Sequence, residues 1–178
     1  HPGEVITDNY PLDKGKISAM EGGIRVPLII TGPGIRAGVE SDVMVNGLDF
    51  YPTLLTLTKT PKPRDKNLDG CDLSDLLRDD PSNSRLVRNR QGKPRNSMIW
   101  HFPHSVALES SIRVEGFKLI RNYDHKYNSN TPELELYQLY RNVNGKQVRV
   151  DLEEANNLVA SKPELCLLYT SPSPRDGL

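Results

Sequence analysis

The stretch that decides the fold runs from Gly15 to Gly34 and reads G-K-I-S-A-M-E-G-G-I-R-V-P-L-I-I-T-G-P-G. Its second half contains Val26 and Leu28–Ile30, an apolar and largely β-branched run closed by a Gly-Pro-Gly turn. This pattern is typical of a buried strand in an α/β sheet. Gly22-Gly23 before it allows backbone conformations that other residues avoid. We therefore expect Lys16 to lie in a fixed loop at the end of a sheet, where α/β enzymes usually form their sites.

The same stretch resembles the sulfatase pattern N-x-P-L-R-x-G-K-G-[ST]-x-[YW]-E-G-G-x-R-x-P. The matching residues are Asn9, Pro11, Leu12, Gly15, Lys16, Ser18, Glu21, Gly22, Gly23, Arg25 and Pro27. Two positions depart from the pattern, because Ile17 replaces the usual glycine and Met20 the usual aromatic residue. Neither replacement removes a functional group.

Three later elements resemble those that close sulfatases. They are Trp100–His104, Arg113–Ile120 and Glu154–Val159. The resemblance covers nearly all of residues 5–165. It implies an α/β fold of the alkaline-phosphatase-like type, here the end of the large α/β domain followed by a small α+β subdomain with antiparallel strands and a helix.

Four regions follow from this resemblance and from the composition along the chain. Residues 1–80 are predicted to end the catalytic α/β domain, 81–96 to form a solvated connecting loop, and 97–165 to form the small α+β subdomain. The tail 166–178 resembles the translation of a sequencing-library adapter, and we expect it to lie outside the fold.

Local patterns predict the elements within these regions. Leu48–Thr58 has the apolar period of a helix, with Leu48, Tyr51, Leu54 and Leu55 on one face and Asp49 as a charge favoured by the helix dipole. Alternation predicts strands at 98–102 and 134–140 and a hairpin over 111–121 that turns at Glu115-Gly116. Residues 151–167 are expected to contain a helix bearing Leu152, Leu158 and Val159.

Composition excludes several classes of function. The 178 residues include 23 basic and 23 acidic side chains, so no net charge directs the chain to nucleic acid or to a membrane surface. No apolar run is long enough to span a bilayer. Of the two cysteines, Cys166 belongs to the tail. Cys71 is then expected to be a small half-buried residue, since a lone thiol provides neither a disulfide framework nor a zinc spacing. The start at His1-Pro2-Gly3 leads us to expect a fragment of a longer protein.

Lys16 is the candidate catalytic and substrate-binding residue. Hydrolysis of a sulfate ester places negative charge on the bridging oxygen, and a preorganised ammonium group stabilises such charge. Glu21 and Arg25 are expected to form an ion pair that supports the loop together with Gly22 and Gly23. The resemblance places His101 and His104 at the rim of the site as candidate ligands of a sugar hydroxyl or a sulfate. We assign no metal ligand in this chain.

The resemblance implies a calcium ion and a formylglycine nucleophile made from the Cys or Ser of a C/S-x-P-x-R motif. That motif does not occur in the chain, so both are expected in a missing N-terminal part, the chain's main partner. The implied activity is hydrolysis of a sulfated small molecule or glycan, in a secreted, periplasmic or lysosome-like location. Two alternatives remain open: a phosphoryl-transfer relative of the same superfamily, and a non-catalytic module that binds sulfated glycans.

Overall fold

A computed structural model describes residues 8–104 and 107–170 of the chain. The described part contains four α-helices, α1 Glu21–Ile24, α2 Phe50–Leu57, α3 Ser74–Arg78 and α4 Pro163–Thr170. Six strands follow the order β1 Ser97–His104, β2 Ala107–Val114, β3 Phe117–Asn122, β4 Leu134–Gln138, β5 Tyr140–Val143 and β6 Lys146–Arg149. Short 3-10 turns lie at Gly47–Asp49, Ser84–Leu86 and Asp124–Lys126.

The chain divides into two compact units. The first comprises residues up to Val26 together with those from Ser97 onwards, and the second is Pro27–Asn96. The segment that carries Lys16 belongs to the first unit together with the C-terminal sheet, and the predicted domain bounds 1–80, 81–96 and 97–165 stay predictions. Among the helices of the described ranges, none combines the length and the apolar character needed to cross a lipid bilayer.

The first unit is built on an antiparallel sheet with the strand order β1-β2-β3-β4, and β5 and β6 form a separate two-stranded antiparallel sheet. Successive side chains of a strand point to opposite sides of the sheet, so the alternating residues of each strand form two different faces. The predicted strands at 98–102 and 134–140 are confirmed as β1 and as β4 with the start of β5. The predicted hairpin is confirmed as well, with Val114 paired to Phe117 on either side of the Glu115-Gly116 turn.

We call one side of this sheet the loop face. On it Ile120 and Tyr137 pack against Ala19 and Met20 of the preceding loop. The opposite side, which we call the helix face, carries Leu119 and Leu136 and packs against α4. Both faces of the sheet are therefore covered by apolar contacts, at least over β3 and β4.

The helix predicted within 151–167 begins further along the chain than expected. Leu152 and Val159 lie in turns, Leu158 lies in the irregular backbone between them, and α4 begins only at Pro163. The Asp151 carboxylate accepts hydrogen bonds from the backbone N–H groups of Ala155 and Asn156, each at 3.0 Å. Such side-chain bonds compete with a helical backbone, whereas proline suits a first helical turn.

α4 extends into the segment that we expected to lie outside the fold. Cys166 is 5% exposed and belongs to the core cluster with Leu119 and Leu136. The helix ends at Thr170, and the rest of the adapter-like tail lies outside the described residues.

The predicted strand at Val26–Ile30 is wrong for this chain. The backbone there is extended but belongs to neither sheet, and Val26 is 77% and Ile29 91% exposed. A strand needs a neighbouring strand to bond its backbone groups, and no strand of the described residues pairs with this segment.

The second unit has its core around Cys71, Leu73, Leu76 and Val87. The helix predicted at Leu48–Thr58 is confirmed as the turn Gly47–Asp49 followed by α2. Its predicted apolar face is largely exposed in this structure. The exposed fractions are 61% for Leu48, 52% for Tyr51 and 56% for Leu54.

Asp49 is not simply a charge at a helix N-terminus. Its side chain is fully buried and forms a bidentate ion pair with Arg95, with N–O distances of 2.7 and 2.9 Å. It also accepts hydrogen bonds from the backbone N–H groups of Cys71 at 2.8 Å and Asn46 at 2.9 Å. Cys71, expected to be half-buried, is 3% exposed.

Candidate functional site

The loop that carries Lys16 is closed by hydrogen bonds at its base. Asn9 donates from its side-chain amide to the carbonyl oxygens of Lys14 and Gly22, each at 3.3 Å. The backbone N–H of Gly22 donates to the carbonyl of Asp13 at 3.1 Å. Both ends of the loop are thus held together, because Asn9 precedes it and Gly22 follows it.

A buried carboxylate of the sheet anchors the far side of this loop. Glu109 on β2 accepts a hydrogen bond from the backbone N–H of Ala19 at 2.7 Å. It also lies 3.7 Å from the ammonium nitrogen of Lys14. Sequence reasoning missed Glu109, although a carboxylate at an inward position of a strand is a signal that it bonds something in the core.

Gly22 and Gly23 are required for a different reason from the one expected. They lie in the short helix α1, and neither has a positive φ. A Cβ atom on Gly22 would collide with the carbonyl oxygen of Asp13, and one on Gly23 with that of Ser18. The glycine pair therefore allows close packing of two backbone segments rather than an unusual backbone conformation.

Ile17 occupies the position where the family pattern has glycine, and its φ is 74°. For a β-branched residue this left-handed conformation is unfavourable, because Cβ crowds the backbone. The structure thus explains the glycine of the pattern and leaves local strain next to Lys16 in this chain.

A buried ionic network lies directly behind the loop. The ammonium nitrogen of Lys118 on β3 is 3.1 Å from a carboxylate oxygen of Glu21 and 2.8 Å from one of Glu154. The three residues are 0%, 2% and 4% exposed, respectively. Glu154 also accepts a hydrogen bond from the backbone N–H of Glu21 at 2.5 Å, and Arg25 pairs with Glu21 at 3.1 Å.

The two carboxylates of this network have opposite pKa shifts. Burial works against ionisation of Glu21, but the nearby cations Lys118, Arg113 and Arg25 outweigh it and lower the pKa. Burial raises the pKa of Glu154, and the charge of Lys118 only partly offsets this. Glu21 is therefore the ionised partner of Lys118 and Arg25, which fixes α1 against the sheet.

An aromatic ring completes the network. The guanidinium carbon of Arg113 lies 4.8 Å and that of Arg25 lies 5.8 Å from the ring centroid of Tyr140. Both distances are within the range of cation–π attraction. Tyr140 belongs to the same buried cluster as Ala19 and Met20, so these contacts connect the loop to β5.

Lys16 itself is exposed, and no hydrogen bond or ion pair engages its side chain within the described ranges. Its backbone is positioned by the anchors on either side, whereas its ammonium group remains available to an anion. Lys16 does not line either of the two best-formed clefts, which are shallow and lie elsewhere.

The two rim histidines lie on different faces of the sheet. His101 is on the helix face, where its Nδ1 is 2.5 Å from Ser110 Oγ and its ring meets that of Tyr123 edge-on. His104 is on the loop face, like Phe102, whose ring centroid is 4.0 Å away. The structure therefore brings only His104 to the side on which the Lys16 loop packs.

The calcium ion that the resemblance implies does not fit the residues at hand. Within the described ranges, no three His, Cys, Asp or Glu side chains are close enough together to hold a metal ion. Near the loop, Asp8 accepts a hydrogen bond from the backbone N–H of Tyr10 at 2.8 Å, a local turn interaction.

Comparison with known proteins agrees with the motif and with the fold. Residues 13–162 match the family described as N-sulphoglucosamine sulphohydrolase, C-terminal. The matched region begins before Lys16 and includes the whole buried network. The chain belongs to the sulfatase family, and its mixed α/β structure with antiparallel strands is that of a C-terminal subdomain of the family.

Three individual proteins that resemble this chain are all named as sulfatases. A sulfatase of Formosa agariphila is 32% identical over 164 residues, which is 88% of this chain and 27% of the relative. The uncharacterised sulfatase YdeN of Escherichia coli is 26% identical over 92% of this chain and 31% of its own length. Arylsulfatase K of Danio rerio is 45% identical over 85% of this chain and 25% of its length. The chain thus spans about a third or less of each of these relatives.

Proposed function

We propose that this chain is the C-terminal part of a sulfatase that hydrolyses sulfate esters, and that Lys16 binds the sulfate group. One observation carries the proposal. The family match includes a loop whose backbone is anchored by Glu109 and Glu154, while the Lys16 ammonium at its tip stays exposed. A preorganised cation of this kind is suited to an anionic ester.

The role of Lys16 follows from the charge that develops as the S–O bond breaks. Negative charge increases on the bridging oxygen, and an ammonium donor nearby forms a stronger hydrogen bond to it in the transition state than in the ground state. Anchoring of the loop lowers the ordering cost of this contact. His104, on the loop face, is the better placed of the two histidines to meet a substrate held by Lys16, and His101, on the helix face, stays a predicted rim residue.

We propose that the formylglycine nucleophile and the calcium ligands lie in the part of the sulfatase that this chain does not span. Neither has its expected motif or ligand cluster in the described residues. The contribution of this chain is then restricted to binding and orienting the ester through Lys16 and its supporting network. The substrate class that we propose is a sulfated small molecule or glycan, reached in a secreted, periplasmic or lysosome-like compartment.

The second unit has an exposed apolar surface on which a further part of the sulfatase could pack. Leu48, Tyr51 and Leu54 present a large apolar face, and Ile29 is almost fully exposed. Such a surface is costly to leave in water. Because the relatives are more than three times as long as the matched region, we propose that their N-terminal α/β part is the occupant of this surface.

The test uses the longer reading frame that we propose contains this chain. Replacing Lys16 by Ala should lower kcat for an aryl sulfate by about 10²–10³, by analogy with loss of one electrostatic donor. Lys126→Ala, which removes an exposed lysine of the same unit, is the matched control and should leave kcat unchanged. Equal rates for wild type and Lys16→Ala would overturn the assignment of Lys16. An enzyme that hydrolyses an aryl phosphate but not the aryl sulfate would favour the phosphoryl-transfer alternative.

A further inference from the structure

We propose that the second unit carries a basic cleft that binds a sulfated oligosaccharide. The cleft has a volume of about 380 Å³. Its lining residues are Pro52, Lys62, Pro63, Lys66, Asn67, Leu68, Gly70, Asp72, Arg88, Asn89 and Arg90. Four of these side chains are cationic and one is acidic, in a chain whose total charge is zero. Residues 62–72 and the predicted connecting loop 81–96 therefore together contribute one concentrated positive surface.

The single acidic residue of the cleft is already engaged. Asp72 accepts hydrogen bonds from the backbone N–H of Ser74 at 2.9 Å and from the Thr56 hydroxyl. It also lies 3.4 Å from the ammonium nitrogen of Lys62. Asp72 therefore neutralises one lysine at the edge of the cleft and leaves a surplus of positive charge.

The remaining cations are available to a ligand to different degrees. Arg88 donates one hydrogen bond to the Gly92 carbonyl at 2.9 Å, which leaves other N–H groups of its guanidinium unused. Lys66 and Arg90 are exposed, and in the described part of the chain neither side chain forms a hydrogen bond or an ion pair. These two residues are the expected primary contacts with an anion.

The loop that carries Arg88 and Arg90 is held in shape by its backbone. Arg88 forms β-bridges with both Asp72 and Pro94. The Asn89 backbone N–H donates to the carbonyl oxygen of Lys93 at 2.8 Å. The Asn89 side-chain oxygen accepts from the backbone N–H groups of Gln91 and Lys93 at 3.1 and 3.0 Å. A fixed backbone lowers the ordering cost of binding, so the cations of this loop form a prepared surface.

The lining favours a glycan over nucleic acid. Grooves for single-stranded nucleic acid combine cations with aromatic platforms on which bases stack, and no residue that lines the cleft is aromatic. The amides of Asn67 and Asn89 provide donors for hydroxyl groups instead. The choice of sulfate as the anion rests on the proposed function, whereas the basic cleft itself does not.

The test needs no enzymatic activity and uses the 178-residue chain. A sulfated hexasaccharide is titrated into the ¹⁵N-labelled chain, and the unsulfated hexasaccharide serves as the ligand control. We expect amide shifts in residues 62–72 and 88–90 with the sulfated ligand only. Affinity should fall by about 20-fold between roughly 50 and 200 mM salt, if the three cations that Asp72 does not neutralise each release about 0.7 counterion.

Two double variants separate the cleft from general charge effects. Lys66→Ala with Arg90→Ala removes the two cations whose side chains have no partner in the described residues, and should weaken binding at least tenfold while lowering the salt dependence to about a third. Lys126→Ala with Arg141→Ala removes one lysine and one arginine, both exposed, from the first unit. This matched control should bind like wild type.

The outcomes distinguish the proposal from its rivals and from the proposed function. Equal binding by the two double variants overturns the cleft. A single-stranded DNA of similar charge that binds as tightly as the hexasaccharide, with the same amide shifts, also overturns the choice of a glycan. Binding at the cleft combined with no sulfatase activity in the longer protein would support the cleft and reject the catalytic role of Lys16.

Discussion

The ammonium nitrogen of Lys118 lies 3.1 Å from a carboxylate oxygen of Glu21, a residue 97 positions earlier in the chain, and Lys118 has no exposed surface. The same nitrogen is 2.8 Å from Glu154. One lysine of the sheet therefore holds two segments: the short helix that ends the Lys16 loop, and the turn-rich region before α4. A cation buried this completely is tolerated only because carboxylates surround it.

Removing the lysine should have a large effect on stability. Lys118→Met leaves two carboxylates buried together without their cation, and we expect a loss of about 3–5 kcal/mol in the free energy of unfolding. Urea unfolding followed by the fluorescence of Trp100, the only tryptophan, measures this change.

The matched control is an exposed ion pair of the same unit. Arg121 lies 3.6 Å from Glu133, and about half of each side chain is exposed. Arg121→Met should cost at most about 1 kcal/mol, because solvent screens such pairs. Similar losses for the two variants would show that the buried network contributes no more than a surface pair.

The lowered pKa of Glu21 predicts a loss of stability in acid. Its ordinary value is 4.5, and the folded state holds it lower through Lys118, Arg113 and Arg25 despite burial. The unfolded chain then binds a proton that the folded chain does not, so stability falls as the pH decreases below about 4.5. In Glu21→Gln this part of the slope, at most about 1.4 kcal/mol per pH unit, should disappear. Identical slopes in the two proteins would contradict the pairing.

Glu154 should act in the opposite direction. Burial raises its pKa above the ordinary 4.5, so the folded state retains a proton that the unfolded state has lost. Its contribution to stability is present below pH 4.5 and decreases as the pH rises through the folded-state value. The free energy of unfolding of Glu154→Gln, measured from about pH 4.5 to neutrality, should therefore fall less with rising pH than that of wild type. A steeper decline in the variant would reject this assignment.

Much of the first unit could be predicted from the sequence because its signals are local. Alternating side chains located β1 and the β2–β3 hairpin, and Glu115-Gly116 marked the turn. The Lys118 network could not be found in this way, because its partners are distant in sequence. The available signal was a lysine within the apolar run Phe117–Ile120, where alternation directs it toward the loop face.

What sequence reasoning did not find depends on partners outside the segment itself. Val26–Ile30 has the composition of a buried strand, but composition does not provide the neighbouring strand that it needs. Asp49 does lie at the N-terminus of α2 as predicted, but nothing local indicates Arg95 as its buried partner. The assignment of His101 and His104 to the rim of the site stays a prediction, and their odd spacing along β1 places them on opposite faces of the sheet.

The exposed side of α2 gives a prediction about the longer protein. Leu54→Glu should change the free energy of unfolding of this chain by about 0.5 kcal/mol or less, since Leu54 is 56% exposed. In the longer sulfatase the same charge would be buried against the proposed N-terminal part, and the yield of folded protein should fall strongly. Gln91→Glu, at an exposed position of the same unit, should alter neither quantity. Unchanged yield for Leu54→Glu would show that this surface stays uncovered.

Ile17 allows a test of strain beside the candidate catalytic lysine. At φ 74° any side chain with a Cβ costs about 1–2 kcal/mol, and glycine does not. We therefore expect Ile17→Gly to be more stable than Ile17→Ala by about 1 kcal/mol, the reverse of the usual order of these two residues. The neighbouring Lys16 has no positive φ, so Lys16→Gly should be less stable than Lys16→Ala. The usual order at both positions would mean that the loop is not held in the strained conformation, and that the glycine of the family pattern has another cause.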